Sequence, residues 1–302
     1  MGIVFLLKSV GPQQGNRSVS EGDNTQKARL HTPARLLVEM PNHSDQASSP
    51  NNPSIDSLFN EADPEKIGVL ISALSEAELA RYLEKLTLQD LAGNTGRLLF
   101  RRWAELNPAA AANWVAALSD DGLRPQLIDL VAVAWSEKDL PHALAWVKLL
   151  PEGDTKNRTL ADLGYEMARG NPLEALQLAS QLPAGDYADA LLLHALAQYA
   201  TVDSGQSQQL ALALPPGALR EQALSLVATV LAKQDGLGAA RFAVDNIAPG
   251  PELDRAVIGV VQLWAQDNFT GASDWVQTFP NSVMRQQAEQ SLDMLGMQGF
   301  RP

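Results

Sequence analysis

A chain of 302 residues with a formal net charge of −12 lacks the clustered Lys and Arg that general nucleic-acid binding needs. It has no cysteine, so disulfides, thiolate nucleophiles and Cys-based metal sites are excluded. Hydrophobic residues make up 45% of the chain and aromatics only 6%; Ala and Leu dominate, a composition that favours helix and is ample for a core.

The chain opens with "MGIVFLLKSVG", whose apolar run, Gly2 to Leu7, is far short of the ~20 residues of a membrane span and has no basic region before it. No integral membrane span is expected. The compartment stays open between the cytoplasm and, if this run is the remnant of a signal or anchor, the periplasm or cell envelope. Residues 1–40 carry a small basic excess, so the acidity belongs to the remainder, where it reads first as a solubility device. From Gly11 to Pro64 the chain is rich in Ser, Asn, Gln, Pro and Asp, as in "SDQASSPNNPSIDS". Residues 1–64 are therefore expected to form a disordered arm or linker. Within it, "TQKARLHTPARLLVEM" has the pattern of a short basic amphipathic helix, limited by Pro33 and Pro41.

A repeat emerges after Glu65. All six tryptophans fall in pairs eleven apart: Trp103 and Trp114, Trp135 and Trp146, Trp264 and Trp275. Steps of 32 from Trp103, with one of 33 at the end, reach Trp135, Met167, Tyr199, Leu231 and Trp264. The second members follow as Trp114, Trp146, Leu178, Leu210, Phe242 and Trp275. Four residues after each first anchor stands Asn or Asp: 107, 139, 171, 203, 235 and 268. Such side chains accept from the free N–H groups of a helix start, and Pro108 and Pro172 suit the first helical position. Four beyond each cap the residue is small (Ala111, Ala143, Ala175, Ser207, Ala239, Ala272), as is the residue just after each first anchor. Upstream, apolar residues at −7, −4 and −3, such as Ile128, Val131 and Ala132, describe one face of a helix. Pro151, Pro183, Pro215 and Pro280 end units.

The expected fold is all-α: an α-solenoid of helix-turn-helix repeats with a period of about 32 residues. The helical domain is placed at 65–302, with a degenerate first repeat at 65–95 anchored by Ile71 and Tyr82. Full repeats run over about 97–284, and a capping helix over about 283–296. The anchors are expected to be core knobs rather than ligand-groove indoles, because Met, Tyr, Leu and Phe replace Trp at equivalent places. The fourth unit, "TVDSGQSQQLALALPP", has few large side chains and is expected to be the softest.

These units, such as "RWAELNPAAAANWVAAL", resemble the Trp- and Ala-rich helical repeat arrays of uncharacterised bacterial proteins. More distantly they resemble the tetratricopeptide repeat, whose own unit has 34 residues and a Trp-x-x-Leu-Gly-x-x-Tyr opening that is absent here. The resemblance implies a scaffold that binds another protein or a peptide, and brings no catalytic residues.

No motif of an enzyme or cofactor site is found, so a non-catalytic protein with no cofactor is expected. The histidines, His31, His43, His142 and His194, show no metal spacing, and His194 in "ALLLHALAQY" reads as a core or groove-edge residue. Asp120 and Asp121 belong to a turn, and no glycine run has the form of a phosphate loop. Candidate partner-binding positions are the polar neighbours of the first anchors: Arg101, Arg102, Glu105, Glu137, Arg169, Lys233 and Gln266. The alternative is a helical accessory domain of an envelope-associated complex or enzyme, tethered through the N-terminal segment.

Overall fold

The computed structural model describes residues 54–297, and every element among them is a helix. The expectations for the apolar start, the basic segment and most of the disordered arm lie outside the described residues. The folded part begins before the sequence boundary at 65. Helix α1 (Ile55–Asn60) is capped by the Ser54 side chain and places Leu58, fully buried, in the same core cluster as Ile67. Residues 54–64 are thus not linker. So short a helix, with Leu58 and its neighbour Phe59 against the core, makes no periodic pattern, and it is packing on the array that orders it.

The opening unit is degenerate. Helices α2 (Pro64–Ser72) and α3 (Glu76–Leu83) carry Ile71, buried, and Tyr82, half-buried, at the two anchor places. Ser75 stands where later units have Asn or Asp, and Glu78 accepts from its backbone N–H at 2.8 Å and its hydroxyl at 2.7 Å. That reciprocal arrangement satisfies the helix start as an Asn or Asp cap does. A short helix α4 (Leu88–Ala92) then leads into the array.

Six hairpins follow. They are α5 (Asn94–Leu106) with α6 (Pro108–Ala116), then α7 (Arg124–Lys148), which contains both helices of its unit broken at Asp139. Next come α8 (Asp154–Gly170) with α9 (Pro172–Gln181) and α10 (Asp186–Val202) with α11 (Ser204–Ala213). The last two are α12 (Ala218–Leu231) with α13 (Gly236–Asn246) and α14 (Pro251–Asp267) with α15 (Phe269–Gln277). Helix α16 (Val283–Met297) closes the stack against α14 and α15. Each first helix packs on the first helix of the next unit, and each second helix lies between its own first helix and the following one. This is a helical solenoid.

The six Asn and Asp residues make the tight turn. Each side-chain oxygen accepts the N–H three residues on: Ala110 to Asn107 at 2.9 Å, His142 to Asp139 at 3.1 Å, Glu174 to Asn171 at 3.3 Å, Gln206 to Asp203 at 2.9 Å, and Gly238 to Asp235 and Gly271 to Asn268 at 2.8 Å. Except at Asp139, which sits inside α7, the same residue's backbone N–H donates to the carbonyl of the first anchor, as Asn107 does to Trp103 at 2.8 Å. One residue therefore finishes one helix and starts the next, which is why the turn is so short.

The small residues after the caps are all buried, Ser207 included, and so are those following the first anchors except Ser136. They let the helices approach. Glycine does the same at two crossings. A Cβ on Gly164 would stand 2.5 Å from Leu191, and one on Gly236 would stand 2.1 Å from the Trp264 ring. The paired anchors do meet: the rings of Trp135 and Trp146 are 5.9 Å apart and those of Trp264 and Trp275 6.1 Å, while Phe100 contacts both Trp103 and Trp114. Only Trp103 is buried outright, however; the other five indoles are half-buried. A large flat ring laid across the groove between two helices covers the core with one face and leaves an edge in water.

Between units the chain turns at Gly153, Gly185, Gly217 and Gly250, each with φ between 150° and 155° and an extended ψ. That region is open essentially to glycine alone. These four residues recur with the repeat, and each is the cap of the next first helix.

Candidate binding cleft between α7 and α8

The first helices of the second and third hairpins separate enough to leave a cleft of about 580 Å³. From α7 it is lined by Asp129, Ala132, Val133, Ser136 and Glu137, and from α8 by Thr159, Asp162, Leu163, Tyr165, Glu166 and Arg169. All lie on consecutive turns of parallel-stacked first helices, so the repeat that buries the apolar face also aligns these side chains.

The two helices are tied at one place by charge. Asp129 accepts from the Arg158 guanidinium at 2.6 Å and from the buried Thr159 hydroxyl at 2.8 Å. Glu166 pairs with Arg169 at 3.0 Å. Glu137 and Asp162 make no hydrogen bond or salt bridge among the described residues, and Arg158 acts on Asp162 only from beyond salt-bridge distance. Burial, and after it the negative charge of Asp129, push the Asp162 carboxyl above the ordinary carboxylate range, with Arg158 opposing. Asp162 as a residue remains exposed, so its carboxyl is partly desolvated rather than enclosed. Tyr165 has its phenol raised, first by burial and then by the charge of Asp162. The His194 ring of α10 lies edge-to-face against Tyr165 with centroids 4.8 Å apart, and its Nε2 is buried without a hydrogen-bond partner. His194 is thus half-buried beside the groove, as its setting in an apolar helix implied. Val133 is 48% exposed, an apolar surface left open in the cleft.

The sequence-based candidates divide into three groups. Glu137 and Arg169 line this cleft. Arg101, Arg102 and Glu105 come together on α5, where Glu105 accepts from both arginines at 3.2 Å. Arg102 also reaches the Ser72 carbonyl at 3.4 Å, and Lys138 donates to the Glu105 carbonyl, so this trio joins neighbouring units. Lys233 and Gln266 are exposed and stand apart from both groups. The sequence reading passed over Asp129, Asp162 and Tyr165. A signal for one of them was present: Asp162 lies five residues before its anchor, where the other units have Leu98, Leu130, His194, Leu226 and Gly259. A carboxylate at a mostly apolar repeat position marks a local departure from packing.

No group of His, Asp and Glu among the described residues is arranged to hold a metal ion, and no helix among them is long and apolar enough to cross a membrane. Comparison with known proteins finds no family model, no curated protein and no solved structure that matches the chain.

Proposed function

We propose that the protein is a non-catalytic scaffold of tetratricopeptide-like helical repeats that binds another protein or a peptide. The observation that supports this reading best is the cleft between α7 and α8. Two carboxylates without a salt bridge, a part-exposed aromatic ring and an exposed valine contribute little to folding, and so are better accounted for by contact with a second molecule. The rigid, closely capped hairpins hold these groups in fixed register, as a docking surface requires. The bacterial likeness of the units belongs with this proposal.

The test is site-specific photo-crosslinking of the full chain in its native cell. A benzophenone amino acid at Val133 is expected to capture one protein in near-stoichiometric yield, while the same group at the exposed Asn113 on α6 captures none. Equal capture from both sites, or none from Val133, overturns the reading.

A further inference from the structure

Resting on the scaffold reading, we propose that the cleft between α7 and α8 takes a lysine or arginine side chain presented by an extended segment of the partner protein. The chemistry of the walls selects this occupant. The lining carries Asp129, Glu137, Asp162 and Glu166 against the single cation Arg169. Arg158 is bonded to Asp129 and Arg169 to Glu166, which leaves Glu137 and Asp162, one from each helix, as the lining carboxylates without a salt bridge; Asp162 feels Arg158 only beyond salt-bridge distance. A cationic head in the cleft is attracted by both carboxylates. Tyr165, held by His194, adds a ring face suited to an ammonium or guanidinium group.

The apolar part of the cleft fits the rest of the side chain. Ala132, Val133 and Leu163 form a methyl-lined surface, against which the methylene stem of Lys or Arg lies while its head stays polar. Arg169 supplies N–H groups beyond those it gives Glu166, and these suit a carbonyl of the presented segment. A polyamine is a poorer match. It carries several cations in a row, whereas this cleft offers two carboxylates without salt bridges beside an apolar surface.

The experiment uses the isotope-labelled full chain and small probes titrated by NMR. N-acetyl-arginine methylamide and N-acetyl-lysine methylamide are expected to give saturable shifts confined to Val133, Glu137, Asp162, Tyr165 and Glu166. The norleucine analogue, with a stem and no charge, should bind several-fold more weakly, and the glutamate analogue should not bind. Asp162→Asn and Glu137→Gln should each weaken the arginine probe about two- to five-fold, the range for one exposed charge. Asp245→Asn with Asp274→Asn, exposed on the distant helices α13 and α15, should leave it unchanged. Shifts spread over the acidic surface, equal loss in the distant control, or tighter occupancy by spermidine than by the arginine probe would overturn the proposal. If these probes fail while Val133 still crosslinks to one partner, the scaffold reading stands and only the cationic occupant falls. If both fail, both fall.

Discussion

Glycine shows how much a single residue depends on its place in the repeat. Gly185 caps α10 at φ 150°, where a Cβ is strained whatever room surrounds it, whereas Gly170 ends α8 with ordinary backbone angles and nothing within 4 Å of an added Cβ. The same substitution should therefore have opposite signs. Gly185→Ala is expected to cost about 1–3 kcal/mol. Gly170→Ala is expected to stabilise by about 0.4–1 kcal/mol through the unfolded chain. Urea denaturation of the two variants checks both signs at once. Asp162 allows a prediction in pH. Because its folded pKa is raised, the proton-bound form is favoured by the fold; that contribution is full below the unfolded carboxyl's pKa and is lost as pH rises through the raised one. Asp162→Asn should then raise the melting temperature at neutral pH and leave it unchanged once the pH falls below the carboxylate range. A lower melting temperature at neutral pH would mean that the charge is compensated in the fold. At this scale the Asn and Asp caps were legible, since their chemistry is local. The four turn glycines were written in the sequence at the repeat spacing, but their need for glycine is a property of φ, which spacing does not reveal.

Helices in this array differ mainly in what they have to bury. The second helix of the fourth hairpin, α11, buries only Ser207 and Ala211, while Val202 at the preceding turn is largely exposed. By contrast α13 buries Ala239, Ala240, Phe242 and Ala243. With so little apolar area holding it, α11 is expected to exchange its amide hydrogens first, over residues 202–210, and uniform protection along the array would contradict this. Anchors set the other extreme. Trp146 packs against two adjoining core clusters, its ring tilted against that of Trp135. Trp146→Ala is expected to cost about 3 kcal/mol, the low end for a tryptophan because one edge of the ring already faces water. An unchanged thermal melt would sink its role as a knob between units. The extra helix α1 was hidden from sequence reasoning for the complementary reason: it offers the core Leu58 and the half-buried Phe59 next to it, and two adjacent residues show no period.

Across the whole molecule, stability comes from stacking like on like, so the array should tolerate loss of a complete unit. Deleting residues 186–217 puts Gly185 in the place of the equivalent turn glycine Gly217 and keeps the register of every helix. At the new junction Gly164 would face Ala223 in place of Leu191, leaving a gap where the original pair fits closely. The shortened chain is expected to keep its helical circular dichroism per residue and to melt cooperatively at a lower temperature. A product without helix would show that the units do not stack as exchangeable parts.

Periodicity in one dimension was enough to establish the helices, their pairing into hairpins, the turn residues and the anchors, because each follows from contacts within one unit or between neighbours of the same kind. The cleft is another matter. Glu137 and Arg169 belong to different units, and nothing in their spacing distinguishes them from Lys233 or Gln266. Whether two first helices close completely or leave space depends on the shapes of all the side chains between them, and so does the partner each charge finds. That is a property of three-dimensional packing, and only the assembled stack decided it.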